Sequence, residues 1–145
     1  MKRLVVLGAG ESGLGAAMLA KREGYAVFVS DGGSIGEVRK AQLQAAGIEF
    51  EEGKHDEARI LATDLIIKSP GIPTTVPIVQ QAISRGISIV DELEFASRYS
   101  KGKVIANTGT NGKTTTTLLT YHILKSAGLK VGLAGNIGQS FAKQV

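Results

Sequence analysis

Leu4-Val5-Val6-Leu7-Gly8-Ala9-Gly10-Glu11-Ser12-Gly13 decides the fold. Four consecutive apolar residues read as a buried strand, and Ser12 to Arg22 reads as a helix with Ser12 as its cap. Between them the glycines match G-x-G-x-x-G. A strand entering a helix through that pattern has the geometry of a pyrophosphate loop. Its glycines permit a tight turn, admit a diphosphate to the main chain and let helix pack on strand. The helix N-terminus adds free N–H groups and the positive end of its dipole. Asp31 follows 21 residues after Gly10, at the end of the next apolar run, where a carboxylate can accept from a ribose or a base. The bland alternative is that the glycines only tighten a βα turn and Asp31 is a solvated strand end. NAD, FAD and UDP-sugars all satisfy this geometry. Glu11 is an acid in a loop meant for phosphates, so its side chain is expected to point away from them.

Outward from this unit the pattern repeats. Ala26 to Val29, Ile48 to Phe50, Leu65 to Ile67 and Ile87 to Val90 read as further strands. Helices are expected over Ile35 to Ala46, His55 to Ala62, Val76 to Ser84 and Asp91 to Tyr99. Ser69-Pro70-Gly71-Ile72-Pro73 must be a loop, because neither proline can serve a central ladder. Short strands alternating with helices predict an α/β fold. We expect a Rossmann-like, five-stranded parallel sheet with helices on both faces over residues 1–98. Lys101-Gly102-Lys103 looks like a linker, and residues 99–145 open a second α/β unit. It is expected to run strand Val104 to Ala106, helix Lys113 to Ala127 and strand Lys130 to Leu133, then Gly135-Asn136-Ile137-Gly138. Two strands cannot make a core alone.

The second unit holds its own glycine cluster, Thr108-Gly109-Thr110-Asn111-Gly112-Lys113-Thr114-Thr115. Gly112-Lys113-Thr114 is the centre of a P-loop. Backbone N–H groups there cradle phosphate oxygens, Lys113 offers its ammonium to β- and γ-phosphates, and the Thr114 hydroxyl can ligate Mg²⁺. The strict G-x-x-x-x-G-K-[ST] pattern fails at its first position, which is Asn107, and Gly109 can make the turn instead. Two phosphate loops in tandem suit neither a plain dehydrogenase nor a plain ATPase. They imply ATP and Mg²⁺ beside a second nucleotide-bearing ligand.

Composition narrows the field. The 19 glycines among 145 residues are almost double the usual share of ~7%, and the two loops use many of them. There is no cysteine, which excludes disulfides, thiolate metal sites and cysteine nucleophiles. The first apolar run is too short for a secretory h-region of about 7–15 residues or a spanning helix of about 20, so a cytoplasmic protein without membrane insertion is expected. The net charge of +4 is spread along the chain, aromatics are 5% and tryptophan is absent. That composition argues against nucleic-acid stacking surfaces.

Gly8 to Gly13, Ser69 to Pro73, Thr108 to Thr115 and Gly135 to Gly138, in this order and at this spacing, resemble the Mur ligase family, the ATP-dependent amide ligases of peptidoglycan precursor synthesis. The T-G-T-N-G-K-T string is shared with folylpolyglutamate-type ligases, and the Rossmann-like first unit removes that branch. The Ser69-Pro70-Gly71-Ile72-Pro73 loop favours the branch that joins D-glutamate to UDP-N-acetylmuramoyl-L-alanine through an acyl phosphate. The resemblance implies that Gly10, Glu11 and Ser12 approach the diphosphate through main-chain groups. It implies that Asp31 and Gly32 lie beside the uracil, Ser69, Pro70 and Gly71 near the nucleotide–sugar region, and Asn136 against the substrate where the domains meet. It assigns ATP to Gly109 through Thr115, with Lys113 and Thr114 in catalytic roles and Thr114 on the metal. It also implies a monomeric parent with a third domain and further metal ligands beyond residue 145. The chain is then a piece expected to bind substrate without turning it over. The alternatives are an NAD-dependent oxidoreductase domain, with Asp31 on the adenosine ribose, another Mur ligase, or a non-enzymatic nucleotide module.

Smaller features are read plainly. His55 sits among charged residues and is expected to be solvated, and His122 to be a surface or packing group. Glu51 and Glu52 are expected to point to opposite faces of their strand. Asp91-Glu92-Leu93-Glu94 is expected to cap and charge a helix N-terminus.

Overall fold

The computed structural model describes residues 1–135 and 139–145. Five strands, β1 (Arg3–Leu7), β2 (Ala26–Asp31), β3 (Glu49–Glu52), β4 (Leu65–Lys68) and β5 (Ser88–Val90), form one sheet in the order β3-β2-β1-β4-β5. Every pairing is parallel. Helices α1 (Glu11–Arg22), α2 (Glu37–Ala45), α3 (Glu57–Leu61), α4 (Pro77–Ser84) and α5 (Glu92–Ser97) connect or follow the strands. The five expected strands are all present, and their ends differ by one or two residues.

Alternation along the central strands explains the layers. Leu4 and Val6 of β1 join Val29 of β2 and Ile67 of β4 in a core with Leu14, Leu19, Leu43 and Phe95. Val5, Leu7, Phe28 and Ile66 point the other way, into a smaller core with Ile60, Ile78 and Val79. Side chains that alternate across a strand bury both faces only when helices cover both, which α1, α2 and α5 do on one side and α3 and α4 on the other. At the amino ends of the strands, the Tyr25 and Tyr99 hydroxyls lie 3.1 Å apart around Phe95. Burial first, and Tyr25 second, pushes the Tyr99 phenol up to about 12.

Helix starts differ from the expectations in an instructive way. Gly10, not Ser12, is the N-cap of α1. Gly10 is still extended (φ −68°, ψ −171°) and the helix begins at Glu11, so Ser12 falls inside the first turn. Asp56 caps α3 by accepting from the Arg59 N–H at 3.1 Å, which moves that helix's start past His55. Asp91 caps α5 as expected, accepting from the Glu94 N–H at 2.7 Å.

The second unit departs further. α6 (Lys113–Ser126) forms, but none of its residues is buried. The expected strands Val104 to Ala106 and Lys130 to Leu133 do not form; Val104 and Ile105 are 62% and 64% exposed. A parallel strand needs a neighbour and a covering layer, and one helix with two short apolar segments supplies neither. An unanticipated helix, α7 (Phe141–Gln144), follows the isolated bridge between Ala134 and Gln139. It returns to the first unit and packs on α1 and α5, with Ala142 in the larger core. Gly15 makes room for it, since a Cβ there would stand 2.0 Å from Ser140 Oγ. Buried Glu92 accepts from the Ala142 N–H at 2.6 Å.

Candidate functional site

From β1 the chain runs outward through β2 to β3, then returns to place β4 on the other side of β1. The loops after β1 and β4 therefore diverge at the carboxyl ends of adjacent strands, the crevice where open α/β sheets take ligands. These loops are Gly8 to Gly13 and Ser69 to Pro73.

Backbone contacts fix both loops. The Gly8 N–H donates to Ser30 O at 2.9 Å, and the Ser69 N–H to Leu7 O at 3.0 Å. A Cβ on Gly8 would meet Ser69 Oγ at 2.8 Å, and one on Gly13 would lie 1.9 Å from Gly8 O. These two glycines serve close packing. Gly10 differs, because nothing lies within 4 Å of where its Cβ would be. No side chain caps α1, so its first-turn N–H groups open onto that space beside Glu11 and Ser12. Lys68 steadies the second loop, its ammonium donating to Ile72 O at 2.6 Å and Ser69 O at 3.3 Å. Pro70 and Gly71 are exposed at the loop's tip.

Asp31 is a scaffold group. One carboxylate oxygen accepts from the Ala9 N–H at 2.6 Å, the other from the Gly33 N–H at 2.8 Å. It thus ties the glycine loop to the Gly32–Gly36 turn. Glu52 holds the far side of that turn, accepting from the Ile35 N–H at 2.7 Å and pairing with Lys40 at 2.7 Å. The Lys40 ammonium, and then the Ile35 amide, lower the Glu52 pKa.

Glu11 turns away from the loop, as expected, and meets Lys143 of α7 at 2.7 Å. That hydrogen bond is the main reason its carboxyl titrates below its ordinary value, and Arg39 adds to it. Glu11, Gly36, Glu37, Arg39, Gln42 and Lys143 line an open surface cleft of about 470 Å³.

The residues expected to hold ATP lie apart from this site. Gly109, Thr110, Asn111, Gly112, Lys113, Thr114 and Thr115 are all exposed. Gly112 is the N-cap of α6 in the left-handed region at φ +75°. The hydrogen bonds of this stretch are local: the Lys113 ammonium donates to Gly109 O, and Asn107 donates to Thr117 Oγ1 at 3.1 Å. Asn107 therefore braces the loop against its helix. Asn136 lies outside the described residues. Among the described residues no group of acidic, histidine or cysteine side chains could hold a metal.

His55 corrects an expectation. It is half-buried, with Nδ1 2.6 Å from the hydroxyl of fully buried Ser30. Lys143 and Arg39 were not foreseen either. Lys143 meets a partner 132 positions away and gives no local signal.

The sequence matches the family described as Mur ligase MurD-like, N-terminal domain, over residues 2–91. The chain belongs to the MurD-like Mur ligases. Over 145 residues it is 57% identical to the UDP-N-acetylmuramoylalanine–D-glutamate ligase of Bacteroides fragilis, covering 100% of this chain and 33% of that protein. The Porphyromonas gingivalis ligase of the same name is 57% identical over 142 residues, with 98% and 32% covered. The chain thus spans about a third of the length of the curated relatives it matches. Among solved structures, a murein peptide ligase from Psychrobacter arcticus 273-4 superposes with a TM-score of 0.64 at 31% identity. That match covers 88% of this chain and 27% of the other. The α/β fold is therefore that of Mur ligases.

Proposed function

We propose that residues 1–98 bind the UDP portion of UDP-N-acetylmuramoyl-L-alanine and that residues 99–145 begin the ATP-binding domain. The complete protein would be a cytoplasmic, monomeric ligase that adds D-glutamate to that substrate in peptidoglycan precursor synthesis. One observation carries the first part: Gly10 faces open space at the uncapped N-terminus of α1, at the switch point of the sheet. A glycine that no protein atom requires leaves room for a ligand, and the free N–H groups and helix dipole suit a diphosphate. Gly32, beside Asp31, takes the uracil end, and Ser69 to Gly71 the region between nucleotide and sugar.

The exposed turn at Gly112 opens α6 as a P-loop does and fits a nucleoside triphosphate. Lys113 would hold its β/γ-phosphates and Thr114 one position on Mg²⁺. When bound, ATP would supply the phosphoryl group that activates the substrate carboxylate for attack by the D-glutamate amine, and Mg²⁺ would offset the phosphate charge. Asn136 would contact the substrate between the domains. Catalysis needs metal ligands beyond those the described residues carry, so the 145-residue chain is expected to bind without turnover. No described helix is long and apolar enough to cross a membrane.

Calorimetric titration with UDP-N-acetylmuramoyl-L-alanine and with NAD, alongside an assay for phosphate release, tests this. Saturable binding of the UDP substrate, none of NAD and no turnover are expected. Saturable NAD binding without the UDP substrate would replace the ligase reading with an oxidoreductase.

A further inference from the structure

Ser30 is fully buried at the end of β2, and its hydroxyl meets two partners. Glu51 Oε1 lies 2.7 Å away and His55 Nδ1 2.6 Å away. A hydroxyl has one proton to donate, and a carboxylate can only accept. The same Glu51 oxygen also accepts from the Asp56 N–H at 2.7 Å. The Ser30 proton therefore goes to Glu51, and His55 Nδ1 must donate to Ser30 Oγ. That fixes the tautomer of the neutral ring: the proton is on Nδ1 and the lone pair on Nε2.

Nε2 has no hydrogen-bond partner among the described residues. It stands against Gly32, where an added Cβ would be 3.1 Å from it. A larger residue at position 32 would crowd the ring, so the bare glycine backbone and the imidazole form one surface. Asp31, the acid the sequence offers for a nucleoside contact, already holds one backbone amide on each oxygen. At this end of the sheet His55 Nε2 is an accessible acceptor with no partner among the described residues.

We propose that His55 is a specificity-determining residue of the nucleotide site, with Nε2 accepting a hydrogen bond from an N–H or O–H of the nucleoside beside Gly32. This rests on the UDP-binding reading above. Three donors on a uridine fit that chemistry, the N3–H of the base and the 2′- and 3′-hydroxyls of the ribose, and analogues separate them.

Affinities of the 145-residue chain for UDP, 3-methyl-UDP (no N3–H), 2′-deoxy-UDP (no 2′-hydroxyl) and 3′-deoxy-UDP (no 3′-hydroxyl) are measured by calorimetry for wild type, His55→Phe and His55→Gln. Wild type is expected to lose about three- to tenfold on one analogue, the worth of one hydrogen bond, and that analogue identifies the donor. His55→Phe should bind UDP as weakly as wild type binds that analogue, without distinguishing the two ligands. His55→Gln, which places an amide oxygen near the Nε2 position, should recover part of the difference. Equal wild-type affinity for all four ligands overturns the proposal, and that result needs no variant to fold. So does a His55→Phe chain that discriminates as wild type does. A wild-type chain that binds no UDP removes the UDP-binding reading itself, and this proposal with it.

Discussion

Gly10 and Gly13 stand three residues apart in one motif, yet they answer to different forces. A methyl group on Gly13 would overlap the Gly8 carbonyl oxygen at 1.9 Å, a backbone atom that cannot move aside without dragging β1. A methyl group on Gly10 would meet no protein atom, and its φ of −68° suits any residue. Gly13→Ala should therefore destabilise the fold by about 3 kcal/mol, at the upper end of overpacking costs. Gly10→Ala should leave the denaturation midpoint almost unchanged while weakening UDP binding. Chemical denaturation and calorimetry on the same two variants separate scaffold from site, and equal behaviour of the pair would remove that distinction. Asp31 shows the converse limit. Its position at a strand end was plain from spacing, but spacing cannot reveal that two backbone amides occupy its carboxylate.

At the scale of elements, the contact between α7 and α1 carries one ion pair beside its apolar packing, Lys143 with Glu11. Glu11 titrates below its ordinary 4.5 because Lys143 hydrogen-bonds its charged form. A carboxyl lowered by folding adds stability above its unfolded pKa, and the gain fades as pH falls through the folded value. Both side chains are partly solvated, so the gain is small. Lys143→Ala should cost less than about 1 kcal/mol at pH 7, and that cost should shrink as pH falls and Glu11 takes up its proton. Denaturant midpoints over a descending pH series check this, and a cost that does not fall with pH would assign Lys143 a packing role instead. The strands and helices of residues 1–98 were legible because each apolar run is bracketed by glycine, proline or a polar cap. α7 was not, since Phe141–Gln144 is barely one turn and forms against a surface supplied by α1 and α5. Val104 to Ala106 failed in the opposite sense. Its apolar pattern suits a strand, but pairing also depends on neighbours that the described residues do not provide.

Across the whole molecule, the two glycine-rich loops belong to parts with unequal packing. The first sits on a doubly covered sheet, while the second opens a helix without a buried residue. This asymmetry predicts separable effects. In the full-length protein, Lys113→Ala should reduce ligase turnover by at least ~100-fold, the scale of losing one positioned donor to developing charge. UDP-substrate affinity should stay as it was. Steady-state kinetics with a parallel binding titration distinguish the outcomes, and unaltered turnover would leave the second loop without a catalytic part.

The strand order places β3 and β5 at the two borders of the sheet. β3 reads Glu49-Phe50-Glu51-Glu52, and β5 is three residues long. A border that charged or that short makes a poor template for a strand from another molecule. Edge-to-edge growth into fibrils is thus discouraged at both margins. The glutamates that brace Ser30 and the Gly32–Gly36 turn thus also guard the sheet border, and neutralising them would weaken that protection.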